Sequence, residues 1–312
     1  LSKSVNQWFF IVNPAGGNWE VQRRWPELEA QLRASGLDFE LEFSQQRGHP
    51  IEIAEQAIGR GFRQIAAVGG DGTCHEVVNG IMRQSAVPSA EVKFALLPVG
   101  TGNDWVRTWQ IPEPGEDWIR MLRHGKTALQ DVGVVDFLAE NGKPSRRYFI
   151  NVAGLAYDAY VARRAIARGK HPFTRFLYLW LVFRCLFEYR LTRSRLEFGD
   201  QSLEDFFYTI NVGICKYSGG GMQLVPHALP DDGLLALTYA RRMTKLQVIL
   251  NTWRFYDGSL PEHPAVFTYS VESVKVEGLD GTQLWVEADG EYLGGTPAGF
   301  SIEQRALCLV VV

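Results

Sequence analysis

Cysteine is scarce. The four in a chain of 312 residues, Cys74, Cys185, Cys215 and Cys308, are widely spaced and form no Cys-x-x-Cys pair. Such a pattern offers neither a disulfide framework nor a structural zinc site, and the six histidines show no ligand spacing beside it. A reduced, intracellular setting is the expectation. Long apolar runs are also missing. The longest, Phe176 to Phe183, is far short of the ~20 residues that carry a helix across a bilayer, so no membrane-spanning helix is expected. Positive charge is not in excess: 32 basic against 35 acidic side chains leave −3, and no global field is present to hold nucleic acid by its phosphates. Nucleic acid is therefore not expected as a partner. The segment Leu1 to Asn6 is polar, with no initiator Met and no apolar h-region. It reads as a trimmed start rather than a signal peptide, and secretion is not expected. Internal repeats and low-complexity tracts are absent as well.

What is present is an ordinary globular composition, 46% hydrophobic and 21% charged, in a chain about twice the ~150 residues of a typical domain. Two domains are expected. The first hundred residues alternate between strand and helix periods. Gln7 to Val12 is a short apolar strand, followed by Trp25, Leu28 and Leu32 at helical spacing until Gly36. Phe39, Leu41 and Phe43 alternate with acids, then His49 to Gly59 carries Ile51, Ala54 and Ile58 on one helical face. Ile65 to Val68 leads to a helix with Val77, Val78 and Ile81, and Phe94 to Leu97 leads to Pro98 to Asp104. Four consecutive β-α units predict a doubly wound α/β sheet with its ligand beyond the carboxyl ends of the strands.

After about Gly125 the texture changes. Gln130 to Leu138, Tyr148 to Val152, Phe206 to Ile214, Leu234 to Tyr239, Tyr269 to Val276 and Gln283 to Glu287 read as strands between Gly, Pro and Asp turns. A mainly antiparallel second domain is expected, with two helical stretches, Phe173 to Tyr189 and Thr244 to Tyr256. The division is 1–125 and 126–312, with the C-terminal strand able to return to the first domain.

Three of the strands in the first domain end in glycine-rich loops: Asn13-Pro14-Ala15-Gly16-Gly17, Gly69-Gly70-Asp71-Gly72-Thr73 and Gly100-Thr101-Gly102-Asn103-Asp104. The middle one opens a helix, where unpaired N–H groups and the positive helix end favour phosphate. Asp71 would repel that phosphate unless a divalent cation lay between them, so the loop implies a nucleotide with Mg²⁺. Taken alone it is equally a tight strand-to-helix turn with Asp71 near the N-cap. Parallel topology puts all three loops on one edge of the sheet, and neither a P-loop nor a G-x-G-x-x-G fingerprint is present.

With Glu76-Val77-Val78-Asn79-Gly80 after the middle loop, these motifs resemble the catalytic domain of the diacylglycerol and sphingosine kinase family. Asn151 to Ala159, Ser218-Gly219-Gly220-Gly221-Met222, Pro226 to Leu235 and Asp289-Gly290-Glu291 resemble that family's second-domain landmarks in the same order. The resemblance implies an α/β nucleotide-binding domain beside a β-sandwich-like domain, with the active site in the cleft. It implies transfer of the ATP γ-phosphate to a lipid hydroxyl, with ATP and Mg²⁺ as cofactors and a lipid alcohol as acceptor, diacylglycerol first. It further implies transient contact with the cytoplasmic face of a membrane. By the same resemblance Asn13, Gly69, Gly70, Asp71, Gly72, Thr73, Cys74, His75, Gly100, Thr101 and Asn103 surround the ATP, Ser44 adds a hydroxyl where relatives often carry Thr, and Asp71 and Asp104 organise the catalytic Mg²⁺. Asn103 and Asp104 stand equally where a helix cap belongs. Glu291 resembles the family's general base, although Asp-Gly between strands is also an ordinary hairpin signal. Asp232, with the carbonyls of Leu229 and Leu234, resembles a structural Mg²⁺ site. Two departures stand out: Gly16 replaces a frequent Ser, and Trp105 is bulkier than the usual side chain.

Other readings remain open from the sequence. A sphingosine-like base or a phosphatidylglycerol could be the acceptor, a soluble acceptor would suit NAD kinases or phosphofructokinases, and a degenerate site would leave a nucleotide or lipid sensor. The stripe Phe176, Leu177, Leu179, Trp180, Phe183, Leu186 and Phe187, with Arg175, Arg184 and Arg190 beside it, reads first as a packed helix and second as a lipid-facing one.

Overall fold

The computed structural model describes residues 7–100, 102–167 and 175–312. The chain divides into one unit formed by Leu1–Val132 with Gln304–Val312 and a second formed by Gly133–Glu303.

The first unit follows from its central apolar strands, which are buried on both faces and therefore need helices on each side. Strand β1 (Trp8–Val12) leads to α1 (Gly16–Ala34), β2 (Phe39–Phe43) to α2 (His49–Gly59), β3 (Gln64–Gly69) to α3 (Asp71–Arg83), and β4 (Lys93–Pro98) to α4 (Asp104–Trp109) and α5 (Glu116–His124). β1 pairs in parallel with β2 and β3, and β3 with β4. Leu28, Leu32, Ile51, Ile58, Val77 and Ile81 are buried as their spacing predicts. Trp105 is also buried, with its ring centroid 5.8 Å from that of Phe94. Its indole N–H donates to Gln130 Oε1 (2.9 Å), as does that of Trp109 (2.7 Å). The bulky side chain after Asp104 is thus a packing anchor for α4. The unit closes with its C-terminal segment, in which Cys308 and Leu309 pair in parallel with Lys93 and Phe94. Arg305 N–H donates to the buried carboxylate of Asp131 (2.6 Å).

Strand β5 (Lys126–Leu138) runs on into the second unit, where Gly133–Leu138 pairs with β6 (Pro144–Phe149). There follow β7 (Val152–Ala156), α6 (Tyr157–Ala167), α7 (Arg175–Glu188), β8 (Arg193–Phe198) and β9 (Gln201–Gly213). The short strands β10 (Tyr217–Ser218) and β11 (Met222–Gln223) precede β12 (Leu235–Arg241), α8 (Lys245–Leu250) and α9 (Arg254–Asp257). The remaining strands are β13 (Val266–Val271), β14 (Val274–Gly278), β15 (Trp285–Ala288) and β16 (Glu291–Val311). The β13-β12-β9-β7-β15-β16 order is antiparallel throughout, and β14 joins β16 to β8.

Several sequence expectations are corrected here. A third helix, α6, interrupts the strands, with Tyr157, Tyr160 and Val161 buried along one face. The stretch Tyr148 to Val152 is not one strand, because the N–H groups of Ile150 and Asn151 turn to the Asp289 carboxylate (3.0 and 2.9 Å). Tyr269 to Val276 likewise divides between β13 and β14, and Thr244 to Tyr256 between α8 and α9. Of the apolar stripe, Leu186 packs inward with Leu181 and Cys185, while Trp180, Phe183 and Phe187 stay exposed. Phe173 and the side chains of Phe176, Leu177 and Leu179 lie outside the described residues.

Candidate active site

In the first unit the parallel sheet brings the three glycine-rich loops together at the ends of β1, β3 and β4. Asn13 N–H donates to Val68 O (3.1 Å), and Val99 N–H donates to Gly69 O (2.9 Å). The Asn13 side chain ties two loops: its Nδ2 donates to Thr73 Oγ1 (2.9 Å), and its Oδ1 accepts from Ala15 N–H (3.2 Å). Ser44 stands beside them at the end of β2, its N–H on Val12 O (2.9 Å) and its side chain buried. The backbones approach closely. A Cβ at Gly100 would lie 2.8 Å from Gly70 Cα and 2.9 Å from Asn103 Oδ1, so only glycine fits.

Gly16, at a position where relatives often carry Ser, is closely packed. A Cβ there would meet Val21 Cγ2 at 2.9 Å and Gly69 Cα at 3.2 Å.

Helix α3 starts at this junction with Gly70 as its N-cap and no capping side chain. The N–H groups of Gly72 and Thr73 fall in its first turn, where an α-helix supplies no acceptor and its dipole favours an anion. Asp71 and Asp104 converge: a Cβ at Gly102 would meet Asp71 Oδ2 at 2.8 Å and Asp104 Oδ2 at 3.8 Å. Trp105 N–H donates to Asp71 Oδ1 (3.4 Å), and Arg107 Nε lies 3.8 Å from the buried Asp104 carboxylate. Asn103 adopts a left-handed conformation (φ 51°), its Nδ2 donates to Gly100 O (3.3 Å), and its buried Oδ1 has no hydrogen-bond partner among the described residues. Cys74 and His75 are buried side chains of α3, the first with its N–H on Gly70 O (3.1 Å), the second with its carbonyl on Asn79 Nδ2 (2.8 Å). Thr101 lies outside the described residues.

No Lys or Arg occurs within the three loops. Backbone N–H groups, an orphaned amide oxygen and two converging carboxylates therefore fit a polyphosphate accompanied by a hard divalent cation.

In the second unit, Asp289 and Gly290 both take left-handed conformations (φ 51° and 82°), which is what a two-residue hairpin joining β15 to β16 requires. Glu291 is the first residue after it. The turn is held more firmly than a hairpin needs. The Asp289 carboxylate takes two backbone N–H groups, Asp289 N–H donates to Val152 O (2.9 Å), and Gly290 N–H donates to Glu287 Oε2 (2.8 Å).

Behind the turn lies a polar row missed by the sequence reading. Register places Glu287, Gly154, Asn211 and Thr238 side by side on four neighbouring strands. A Cβ at Gly154 would meet Glu287 Oε1 at 2.6 Å, Asp158 Cβ at 3.0 Å and Asn211 Oδ1 at 3.3 Å. Thr209 Oγ1 donates to Asp158 and accepts from Asn211 Nδ2 (3.1 Å). Burial, reinforced by the Asp158 charge, pushes the Glu287 carboxyl well above the usual carboxylate range. Burial raises Asp158 to about 6, against opposing hydrogen bonds from Thr209 and Asn211. Asn211 Oδ1 and Thr238 Oγ1 are buried without partners among the described residues. Asp158 lay inside a recognised landmark, but only strand pairing shows its company.

Asp232 is an exposed turn residue whose Oδ1 accepts from Leu234 N–H (3.0 Å), next to Gly233 at φ 77°. Leu229 is exposed. No cluster of three or more His, Cys, Asp or Glu occurs among the described residues, so a cation here would draw mainly on main-chain oxygens, which suits Mg²⁺ or Ca²⁺ rather than a transition metal.

The comparison with known proteins bears directly on this arrangement. The diacylglycerol kinase catalytic domain family matches residues 7–135, and the YegS C-terminal NAD kinase beta sandwich-like domain family matches residues 151–311. The chain belongs to the diacylglycerol kinase family. A diacylglycerol kinase of Staphylococcus haemolyticus (strain JCSC1435) is 28% identical over 290 residues, covering 93% of this chain and 83% of that protein. One from Staphylococcus aureus (strain bovine RF122 / ET3-1) is 27% identical over 290 residues, covering 93% and 87%. The crystal structure of a diacylglycerol kinase from Bacillus anthracis str. Sterne has the same fold, with a TM-score of 0.71 at 19% identity over 100% of this chain and 98% of that one. The yeast NADH kinase complexed with NADH is a more distant fold relative, with a TM-score of 0.50 at 12% identity over 99% and 84%. In this diacylglycerol kinase family member, each half of the fold thus has a family counterpart of its own, and no described helix is long and apolar enough to cross a membrane.

Proposed function

We propose that the protein is an ATP- and Mg²⁺-dependent lipid kinase whose acceptor is diacylglycerol and whose product is phosphatidic acid. The observation that carries this reading is the convergence of Asp71 and Asp104 on Gly102, where the Gly70 and Gly100 backbones meet. Family membership supplies the acceptor class.

The roles follow from the chemistry of each group. The N–H groups of Gly72 and Thr73 at the start of α3 receive phosphate oxygens, with Gly69, Gly70 and Gly100 leaving the backbone bare for close approach. Asn13 fixes the Thr73 hydroxyl, and Ser44 and Asn103 add polar contacts at the same edge. Asp71 and Asp104 would hold the catalytic cation, which when bound offsets the charge of the β- and γ-phosphates. The acceptor hydroxyl oxygen forms a bond to the γ-phosphorus as the bond to the bridging oxygen breaks. ADP leaves with that electron pair, and the hydroxyl proton passes to the Glu291 carboxylate. The doubly anchored Asp289-Gly290 turn holds Glu291 in place. Asp232, with the carbonyls of Leu229 and Leu234, would hold a second, structural cation.

The test is incubation with γ-labelled ATP, Mg²⁺ and, in separate arms, diacylglycerol, a sphingosine-like base, phosphatidylglycerol and NAD. Labelled phosphatidic acid is expected. Labelled product in another lipid arm corrects the acceptor, product from NAD alone replaces the lipid kinase reading, and ATP binding without transfer in any arm points to a sensor.

A further inference from the structure

Two inward-facing carboxyls of the second unit, Glu287 and Asp158, have no part in the phosphoryl transfer, yet one of them grips the turn that carries the general base. The ladder between β15 and β16 slips between Val286 and Glu287, which sets the pairs Glu287–Tyr292 and Ala288–Glu291 apart from the rest of the hairpin. Such a slip disrupts the ladder locally, so side chains must fix the turn beyond it. Asp289 holds one side, through the N–H groups of Ile150 and Asn151. Glu287 holds the other: its Oε2 accepts from the N–H of Gly290 (2.8 Å), the residue immediately before Glu291.

The second oxygen of Glu287 shows in which form it acts. Thr209 has a single O–H, and that group donates to Asp158. The Asn211 amide group facing the Thr209 oxygen (3.1 Å) is therefore its NH₂, and Asn211 Oδ1 is turned elsewhere. Asn211 Oδ1 and Glu287 Oε1 border the same point, 3.3 and 2.6 Å from where a Cβ on Gly154 would lie. The first is buried without a hydrogen-bond partner among the described residues. Two buried acceptors thus face one gap, and buried acceptors need donors. A proton on the Glu287 carboxyl turns one of them into a donor. The electrostatics agree. Burial first and the Asp158 charge second favour the neutral form of Glu287, and Asp289 adds to them against the N–H groups of Gly290 and Gly154. At this level β7 and β9 present Gly154, Thr209 and Asn211, and Arg163 of α6 lies over the rings of Trp285 and Tyr292 (4.7 and 5.7 Å). Asp158, raised to about 6, is the carboxyl of the pair that ionises at neutral pH.

We infer that Glu287 is a positioning residue for Glu291: a neutral carboxylic acid that holds the Gly290 N–H and, with it, the backbone from which the base projects. The role of Glu291 rests on the lipid-kinase reading, whereas the hold on Gly290 does not.

The experiment compares Glu287→Gln and Glu287→Leu with wild type, each alone and on a Glu291→Gln background, with urea midpoints to check folding. Gln reproduces the neutral acid, with one oxygen for Gly290 and an NH₂ for Asn211; Leu fills the space and removes both contacts. Hydrogen exchange of the Gly290 amide should be about tenfold faster in Glu287→Leu, the loss of one buried hydrogen bond, and near wild type in Glu287→Gln. In γ-labelled ATP transfer to diacylglycerol, Glu287→Leu should lose about 10–10²-fold in kcat at an unchanged KM for ATP, as a misplaced reacting group does. Glu287→Gln should keep kcat within about threefold, and it carries the test if the Leu variant does not fold. On the Glu291→Gln background Glu287→Leu should cost nothing further, because the group it positions is already gone. Unchanged Gly290 exchange or a normal kcat in Glu287→Leu overturns the inference. So does an equal loss on both backgrounds, which marks a merely structural role, and so does a Gln variant as impaired as the Leu one, which rejects the neutral acid. If wild type phosphorylates no lipid while Gly290 exchange still depends on Glu287, the hold on the turn stands and the kinase reading falls.

Discussion

Replacing Gly100 by Ala puts the phosphate-loop geometry to a quantitative test. The added Cβ would fall 2.8 Å from Gly70 Cα and 2.9 Å from Asn103 Oδ1. Carbon atoms in contact prefer about 3.5–4.0 Å, so the two loops must part by roughly 1 Å. Neither neighbour can yield cheaply: one is backbone at the N-cap of α3, the other a side chain tied to Gly100 O. Overpacking of this kind costs about 1–3 kcal/mol of stability. The larger effect falls on catalysis, because a displacement of about 1 Å in a positioning element can cost about 10²-fold in rate. Gly70→Ala is the matched control for stability. Its Cβ would meet only Gly100 Cα, at an ordinary 3.5 Å, so the fold should be spared while bulk is added beside the nucleotide. The assays are urea unfolding and steady-state transfer from γ-labelled ATP. The expected result is a destabilised, roughly hundredfold slower Gly100→Ala protein and a Gly70→Ala protein of near wild-type stability with weakened ATP binding. Wild-type turnover in Gly100→Ala would show that the contact of the two loops has no bearing on catalysis and would refute the reasoning.

Other substitutions separate the remaining roles. Glu291→Gln should lower kcat by about 10²–10⁴-fold, the usual contribution of a general base, while ATP affinity measured by calorimetry is unchanged; a normal kcat rejects the base. Gly16→Ser should lose about 1–3 kcal/mol in urea unfolding, because its Cβ meets Val21 Cγ2 at 2.9 Å; unaltered stability would mean that α1 shifts freely. Asp158 titrates at about 6 in the folded chain against an ordinary 3.8. The unfolded chain therefore releases this proton first, and stability falls as pH rises from about 4 to about 6, by at most about 3 kcal/mol since Asp158 keeps some contact with solvent. Asp158→Asn should gain stability relative to wild type across that window and hold the gain at higher pH; a difference independent of pH contradicts the buried carboxyl.

The first unit was readable because its information is local. Each strand carries its own apolar run, each helix its own stripe, and parallel topology alone sends Asn13, Gly70 and Gly100 to one edge. The second unit stores its information in long-range pairing. Glu287 becomes a buried acceptor for Gly290 only when β15 lies beside β7, and Gly154 becomes the gap between Glu287 and Asn211 only when β7 also meets β9. A lone Glu in a strand and a Gly before Leu155 carry no sign of that. The break at Ile150 and Asn151 was hidden for the same reason, since its cause is Asp289, far along the chain. The stripe of α7 was visible, but its division into a buried and an exposed face depends on the cluster around Tyr157, Tyr160 and Tyr208 that receives Leu181, Cys185 and Leu186.

The most direct measurement is transfer of labelled phosphate from ATP to diacylglycerol by wild type and Asp71→Ala under identical conditions, with mass identification of the product. Labelled phosphatidic acid from wild type, and none above background from an Asp71→Ala protein that unfolds at the wild-type urea midpoint, is the predicted result. Equal turnover by the two proteins would contradict the account.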